Sequence, residues 1–289
     1  MPHSKQTRKP VPRYATVLPV MVFAALLPFL GASLWMSLWS FGADLVLSRS
    51  AYGQSMILSV LQRKAYVPEV TLLATATGSL VCLLIMSHLD TAPRTAVPST
   101  GKCALAVMYA RAAAACAFLE ILINCILLCF PEGVPFSGFR DVPPTLRAIY
   151  NTDGRLVMVL AAVFTGPVFE ELVFRGLTQG RLREHGAGPC AAVAVASVMF
   201  GLYHGSLRTD IYAAFMGLVF GFLYERTGRL AVAIAGHAAG NAAVLAIELF
   251  PAAFDSRTDI LFWIGVGLLV PILALAPFNA QKNARPGIP

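Results

Sequence analysis

Apolar residues run along this chain in long unbroken blocks, not in the short alternating or amphipathic patterns of a water-soluble fold. Eight blocks stand out, at 17–46, 70–88, 103–130, 156–178, 189–206, 210–224, 230–250 and 258–278. Most approach the roughly 20 apolar residues a helix needs to cross a bilayer. Backbone polar groups find no water inside lipid, so spanning segments are helices or closed barrels. The alternating ten-residue strands of a barrel are missing from the sequence. The pattern predicts an all-α, polytopic transmembrane helix bundle of about eight spans. The first block is long enough to tilt, or to end in an interfacial segment around Asp44.

The stretches between blocks suggest an organisation. Residues 1–16 form a basic tail, and 17–130 hold three spans with an amphipathic connector at 47–68. Residues 131–155 carry Pro131, Pro135, Pro143 and Pro144 and read as a structured loop. Residues 156–278 hold the remaining five spans, and 279–289 form a C-terminal tail. The basic start could be the n-region of a signal peptide. The apolar block behind it is too long for that, and no small-residue cleavage site follows, so the first span is expected to stay uncleaved.

Composition agrees with a chain solvated by lipid. It is 57% hydrophobic and 13% charged, with a mean hydropathy of +0.70; soluble domains run near 25% charged. The net charge of +7 would suggest nucleic acid in a soluble protein. Here no basic-aromatic cluster supports that partner, and the cations sit in the tail and short loops, where they set orientation. With the N-terminus inside, 13 Lys and Arg fall on the cytoplasmic side. Eight fall outside: Arg49, Arg63, Lys64, Arg140, Arg147, Arg155, Arg208 and Arg257. This excess places both termini in the cytoplasm. The lack of a large soluble extension suits a bacterial plasma (inner) membrane. The six cysteines form no C-x-x-C pair and read as small packing residues.

Ionisable groups inside a span cost about 2.5–3.5 kcal/mol each at a helix centre and need a reason. The fourth block carries three together in GPVFEELVFRG: Glu170, Glu171 and Arg175. Glu171 and Arg175 are four apart and share a helix face in the favourable order. They either fix helix packing or serve chemistry, and the residues alone leave both open. Glu170 points about 100° away and must find its partner on another helix, which makes it the natural general base. Pro167 removes a backbone donor and frees a carbonyl in the region of Phe164, so a kink is expected there. The fifth block ends MFGLYH, with Phe200 and His204 four apart. The seventh holds GHAAGN, with His237 and Asn241 four apart across small residues that admit a close neighbour. Two such side chains could donate to one developing oxyanion.

The ordered set E-E-x-x-x-R, F-x-x-x-H and H-x-x-x-N resembles the CPBP (Abi) family, which includes the type II CAAX prenyl endopeptidases. The resemblance covers roughly residues 155–250, and 1–130 match no motif. It implies an intramembrane endopeptidase acting on a prenylated CAAX-type protein or a membrane peptide. Glu170 would activate water together with His204. His237 and Asn241 would form the oxyanion hole, and Glu171 and Arg175 would support the site. The family is often labelled metalloprotease, and Glu170, His204 and His237 would be the ligands of a zinc ion. No H-E-x-x-H occurs and Asn is a poor zinc ligand, so a metal-independent glutamate mechanism is favoured, with no cofactor. Two other readings stand beside the enzyme. One is a non-catalytic scaffold or bacteriocin self-immunity protein of the same fold. The other is a Glu/His proton-coupled transporter, against which no inverted repeat is evident. One tension remains. With these block boundaries Glu170 lies in the cytoplasmic third of its span and His204 near the outer end of the next, more than about 10 Å apart in depth at 1.5 Å per residue. Sharing a water requires one of the two boundaries to move.

Overall fold

A computed structural model of the chain describes residues 13–49, 67–88, 101–129, 155–205, 207–254 and 256–275. The first twelve residues, most of the connector, the loop before residue 155 and the C-terminal tail lie outside the described residues. Eight helical segments follow one another: α1 (Arg13–Arg49), α2 (Val67–His88), α3 (Lys102–Leu128), α4 (a continuous run from Arg155 to Glu184), α5 (Pro189–Leu202), α6 (Leu207–Thr227), α7 (Leu230–Leu249) and α8 (Arg257–Leu275). A 3-10 turn, Pro251–Phe254, precedes α8. There is no strand among the described residues. The protein is an all-helical integral membrane protein. Among the described residues five helices, α1, α2, α3, α4 and α7, are long and apolar enough to cross a bilayer. At 14 residues, α5 is only about 21 Å long and falls short of a roughly 30 Å core.

The outward faces are apolar. Leu27, Leu34 and Phe41 of α1, Leu80 and Leu84 of α2, and Phe262 and Ile272 of α8 are all more than half exposed. In water so much contiguous apolar surface would drive association; against acyl chains it costs nothing. The interior carries the polarity. Every residue from Leu172 to Gln179 is buried, Arg175, Thr178 and Gln179 among them. Lipid therefore does not drive these helices together, and close packing and internal hydrogen bonds must do so.

Small residues make the close packing. On α7, Gly236 and Gly240 are one turn apart and face α3. A methyl added at Gly236 would lie 2.9 Å from Cys116 Sγ, and one at Gly240 would lie 3.1 Å from Glu120 Cγ. On α8, a methyl at Gly267 would meet Leu122 Cβ at 2.7 Å. Thus α3 is gripped between α7 and α8. The α5–α6 pair uses the same device: a methyl at Gly201 would strike the Asp210 carbonyl, and one at Gly217 would lie 3.1 Å from Ser197. Polar pins join α1 to α2 and α2 to α4. Trp35 Nε1 donates to Ala74 O at 2.9 Å, and the hydroxyls of Thr75 and Thr165 bond at 2.7 Å.

Packing this tight makes the glycines discriminating probes. Gly236→Val should destabilise the detergent-solubilised protein by about 1–3 kcal/mol through overpacking against Cys116. Gly31→Ala, where nothing lies within 4 Å of the added carbon, should stay within about 0.5 kcal/mol of wild type. Equilibrium unfolding of the two variants checks the pair.

Candidate active site

Helix α4 widens to π register twice, and this sets the site. It runs as α-helix over Arg155–Val159, widens to a π-helix over Leu160–Thr165, returns to α over Gly166–Glu171, widens again over Leu172–Gln179 and closes as α over Gly180–Glu184. The carboxylates therefore sit on a short α segment between two wide turns. Such turns are rare and concentrate at functional sites.

Glu171 and Arg175 pair as the spacing predicts. Arg175 Nη1 donates to Glu171 Oε1 at 2.8 Å, and neither side chain is exposed to solvent. Arg175 Nη2 donates to the carbonyl of Gly217 on α6 at 2.9 Å. The guanidinium lies over the rings of Phe200, 4.7 Å from its centroid, and Phe220, at 5.4 Å. An ion pair, a carbonyl and two π faces together offset the cost of burying this charge.

The same carboxylate oxygen holds His237, whose Nδ1 lies 2.9 Å from Glu171 Oε1. An ionised carboxylate only accepts, so Nδ1 carries the hydrogen and Nε2 is the free nitrogen. Nε2 faces Glu170 Oε2 at 3.6 Å, an ionic approach longer than a hydrogen bond. Phe220 stacks on the imidazole at 4.5 Å, tilted by 16°, and Phe200 meets it edge-on at 5.6 Å. The ring has little freedom to turn. The sequence paired Glu171 with Arg175 and left open whether the pair fixes packing or serves chemistry. The structure makes it the link in a chain from Arg175 through Glu171 to His237, with Glu170 at its end. Glu170 keeps 18% of its side chain exposed, so this carboxylate stands at the mouth.

Asn241 is placed differently from a simple pair of donors beside His237. Its Nδ2 donates to the carbonyl of Ala162 at 2.7 Å. The reason lies in Pro167. In the π register each N–H bonds the carbonyl five residues back, as Gly166 does to Ala161. The next N–H would serve Ala162, but residue 167 is proline and has none. The carbonyl freed by Pro167 is thus Ala162's, and the Asn241 amide takes the missing place. In place of a plain kink, the change from π to α register absorbs the proline at the start of its segment. An amide nitrogen carries two hydrogens, so one N–H of Asn241 remains beyond this bond.

His204 is exposed, and its Nδ1 lies 2.9 Å from the Phe200 carbonyl. A carbonyl only accepts, so here too Nε2 is the free nitrogen. The Phe200 ring packs on it at 5.0 Å, as the four-residue spacing predicts. The depth conflict narrows because α4 continues to Glu184 instead of ending at 178. Glu170 and His204 each lie seventeen residues from Ala187, in the turn between antiparallel α4 and α5. The Phe174–Tyr203 contact, 5.5 Å between centroids, brings the residue before His204 against α4 about one turn from Glu170.

One buried carboxyl stands outside the motif set. Glu120 of α3 is 3% exposed and packs against Gly240, between His237 and Asn241 on α7. Its sequence signal was a single acid within AFLEILIN; which helix it meets was not readable. Among the described residues, no three His, Cys, Asp or Glu side chains come together to hold a metal ion. The donor set thus falls short of the three protein ligands usual for catalytic zinc.

Residues 152–243 match the family described as type II CAAX prenyl endopeptidase Rce1-like. This bears out the CPBP resemblance over the stretch that carries all three motifs. A Bacillus subtilis (strain 168) protein named "Putative membrane peptidase YdiL" is 35% identical over 95 residues, which are 33% of this chain and 38% of that protein. The chain therefore covers well under two thirds of that relative's length. No solved structure shows a significant match. The matched stretch holds Glu170, Glu171, Arg175, His204, His237 and Asn241.

The Pro167–Asn241 arrangement predicts a compensation. Asn241→Ala should cost about 1–3 kcal/mol by orphaning the Ala162 carbonyl. Pro167→Ala in the same chain restores a backbone N–H and should recover most of that loss. A double-mutant cycle on unfolding in detergent measures the coupling; additive losses would refute it.

Proposed function

We propose that this protein is a metal-independent intramembrane endopeptidase. It hydrolyses a peptide bond near the membrane surface, in a prenylated CAAX-type protein or a membrane peptide. Glu170, partly exposed at the mouth, takes a proton from the attacking water, and His204 orients or relays through its free Nε2. The water oxygen adds to the carbonyl carbon, and charge develops on the carbonyl oxygen. In this reading His237 acts as the imidazolium, its Nδ1–H held by Glu171, so that its Nε2–H and the second N–H of Asn241 donate to that oxygen. Glu170 then returns its proton to the leaving amine as the C–N bond breaks. Arg175 and Glu171 touch no reacting atom and act by fixing His237.

The observation that carries this reading is the bond from His237 Nδ1 to Glu171 Oε1. It holds the ring in place, stabilises its imidazolium form and directs Nε2 toward Glu170, as the carboxylate of a hydrolase triad does for its histidine. A second reading, a non-catalytic scaffold of the same fold, draws on the Asn241 amide being engaged by Ala162. A proton-coupled transporter finds no comparable support. The bacterial inner membrane, with both termini in the cytoplasm, is the proposed location.

Purified wild type and Glu170→Gln, with and without a chelator, are incubated with a prenylated CAAX peptide and a mixed peptide library. Wild type should cleave in the presence of chelator, and Glu170→Gln should be slower by at least about 100-fold, the scale of general-base catalysis. Loss to the chelator with rescue by zinc would overturn the metal-independent mechanism. Equal cleavage by both proteins would remove Glu170 from the reaction, and a wild type that cleaves neither would favour the scaffold.

A further inference from the structure

Helix α4 has two working faces. Glu171, Arg175 and Gln179 form one row, toward α6 and α7. Phe169, Val173, Leu177 and Arg181 form another, displaced by two residues and so on the far side of the helix, toward α1 and α2. The second row lines a cavity of about 490 Å³ bounded by α1 and α2, which contains none of the proposed catalytic residues. The volume falls within the range of small-molecule sites.

The cavity is graded from end to end. Its closed end is tight. Trp35 is pinned by the Ala74 carbonyl, and a methyl at Gly78 would meet the Phe169 ring at 2.6 Å and Trp35 Nε1 at 3.0 Å. Its wall at Gly31 is open, with nothing within 4 Å of an added carbon. At the other end stand Arg181 and His185, the lining's only ionisable side chains apart from the Cys82 thiol. Arg181 Nη1 is engaged by Glu184 Oε2 at 2.6 Å, and neighbouring Arg183 by Glu225 at 2.9 Å. A guanidinium has five N–H donors, so one ion pair leaves Arg181 able to hold an oxyanion as well. The twelve steps from Phe169 to Arg181 span at most about 18 Å at the α-helical rise, and less through the wide turn at Leu172–Gln179. Half of a roughly 30 Å hydrocarbon core is about 15 Å. The groove is therefore as long as one leaflet, apolar along its length and cationic where the headgroups lie, where such side chains reach the interface.

We propose that this groove binds one phospholipid of the leaflet on the Arg181 side, with an acyl chain against Gly31 and Trp35 and its phosphate on Arg181 and His185. The site is independent of the proposed peptidase reaction, since its test reads binding. Protein in detergent is loaded with phosphatidylglycerol or with diacylglycerol of the same chains, and retained lipid is counted by native mass spectrometry. Wild type should retain one phosphatidylglycerol and at least tenfold less diacylglycerol. Gly31→Phe, which fills the groove, should lower phosphatidylglycerol retention at least tenfold. Arg181→Ala with His185→Gln, which leaves the groove open, should reduce it to the diacylglycerol level. Gly31→Ala and a matched elution profile control for folding. Equal retention by wild type and Gly31→Phe would overturn the proposal, because the lipid would then be annular. Indifference to the phosphate would overturn it as well. So would displacement of the bound lipid by a prenylated peptide but not by added phosphatidylglycerol, which would assign the groove to substrate.

Discussion

Glu171 Oε1 accepts from Arg175 at 2.8 Å and from His237 at 2.9 Å, in a place no solvent reaches. A carboxylate buried alone would be ruinous; with two donors, one of them a cation, it organises what surrounds it. It joins α4 to α7 directly. Through the Arg175 bond to Gly217 it joins α4 to α6, and the Phe200 ring over the guanidinium brings in α5. Four helices are thus registered on one oxygen. Lipid supplies no hydrophobic force between them, so polar registration of this kind has more to do than in a soluble bundle.

The proline before the carboxylates belongs to the same design. A helix that changes from π to α must leave some carbonyl without its N–H, and Pro167 makes that carbonyl Ala162's. Asn241 reaches across from α7 to take it. One turn earlier on α7, His237 reaches Glu171. Two successive polar residues of α7 therefore fasten to two points on α4, one on either side of Pro167. Depth and rotation of α7 are both set by this double attachment. Gly236 and Gly240, on the face toward α3, let it seat without steric cost.

Polarity in this protein is sorted inward, and the two faces of α4 put that sorting to different uses. The Glu171 row is wholly enclosed by protein. The Phe169 row opens toward lipid between α1 and α2 and ends in Arg181. A helix that only anchored the chain would not need both.

Much of this was legible in the sequence, for physical reasons. A bilayer imposes a length and an apolarity on any span, so the eight helices were readable as blocks, although α4 proved longer than its block because Gly180–Glu184 is polar yet still helical. Residues four apart share a helix face, so Glu171–Arg175 and Phe200–His204 could be paired without coordinates. The charge cost inside a span singled out Glu170, Glu171, Arg175, His204 and His237 together. What joins one helix to another was not legible, because no spacing rule operates across a turn or a loop. Only the tertiary structure decided that His237 bonds Glu171, that Asn241 replaces the N–H missing at Pro167, and that Glu120 of α3 faces Gly240. The depth of His204 was fixed by the length of α4 and the turn at Ala187, and the groove exists because α1, α2 and α4 meet where Gly31 leaves room.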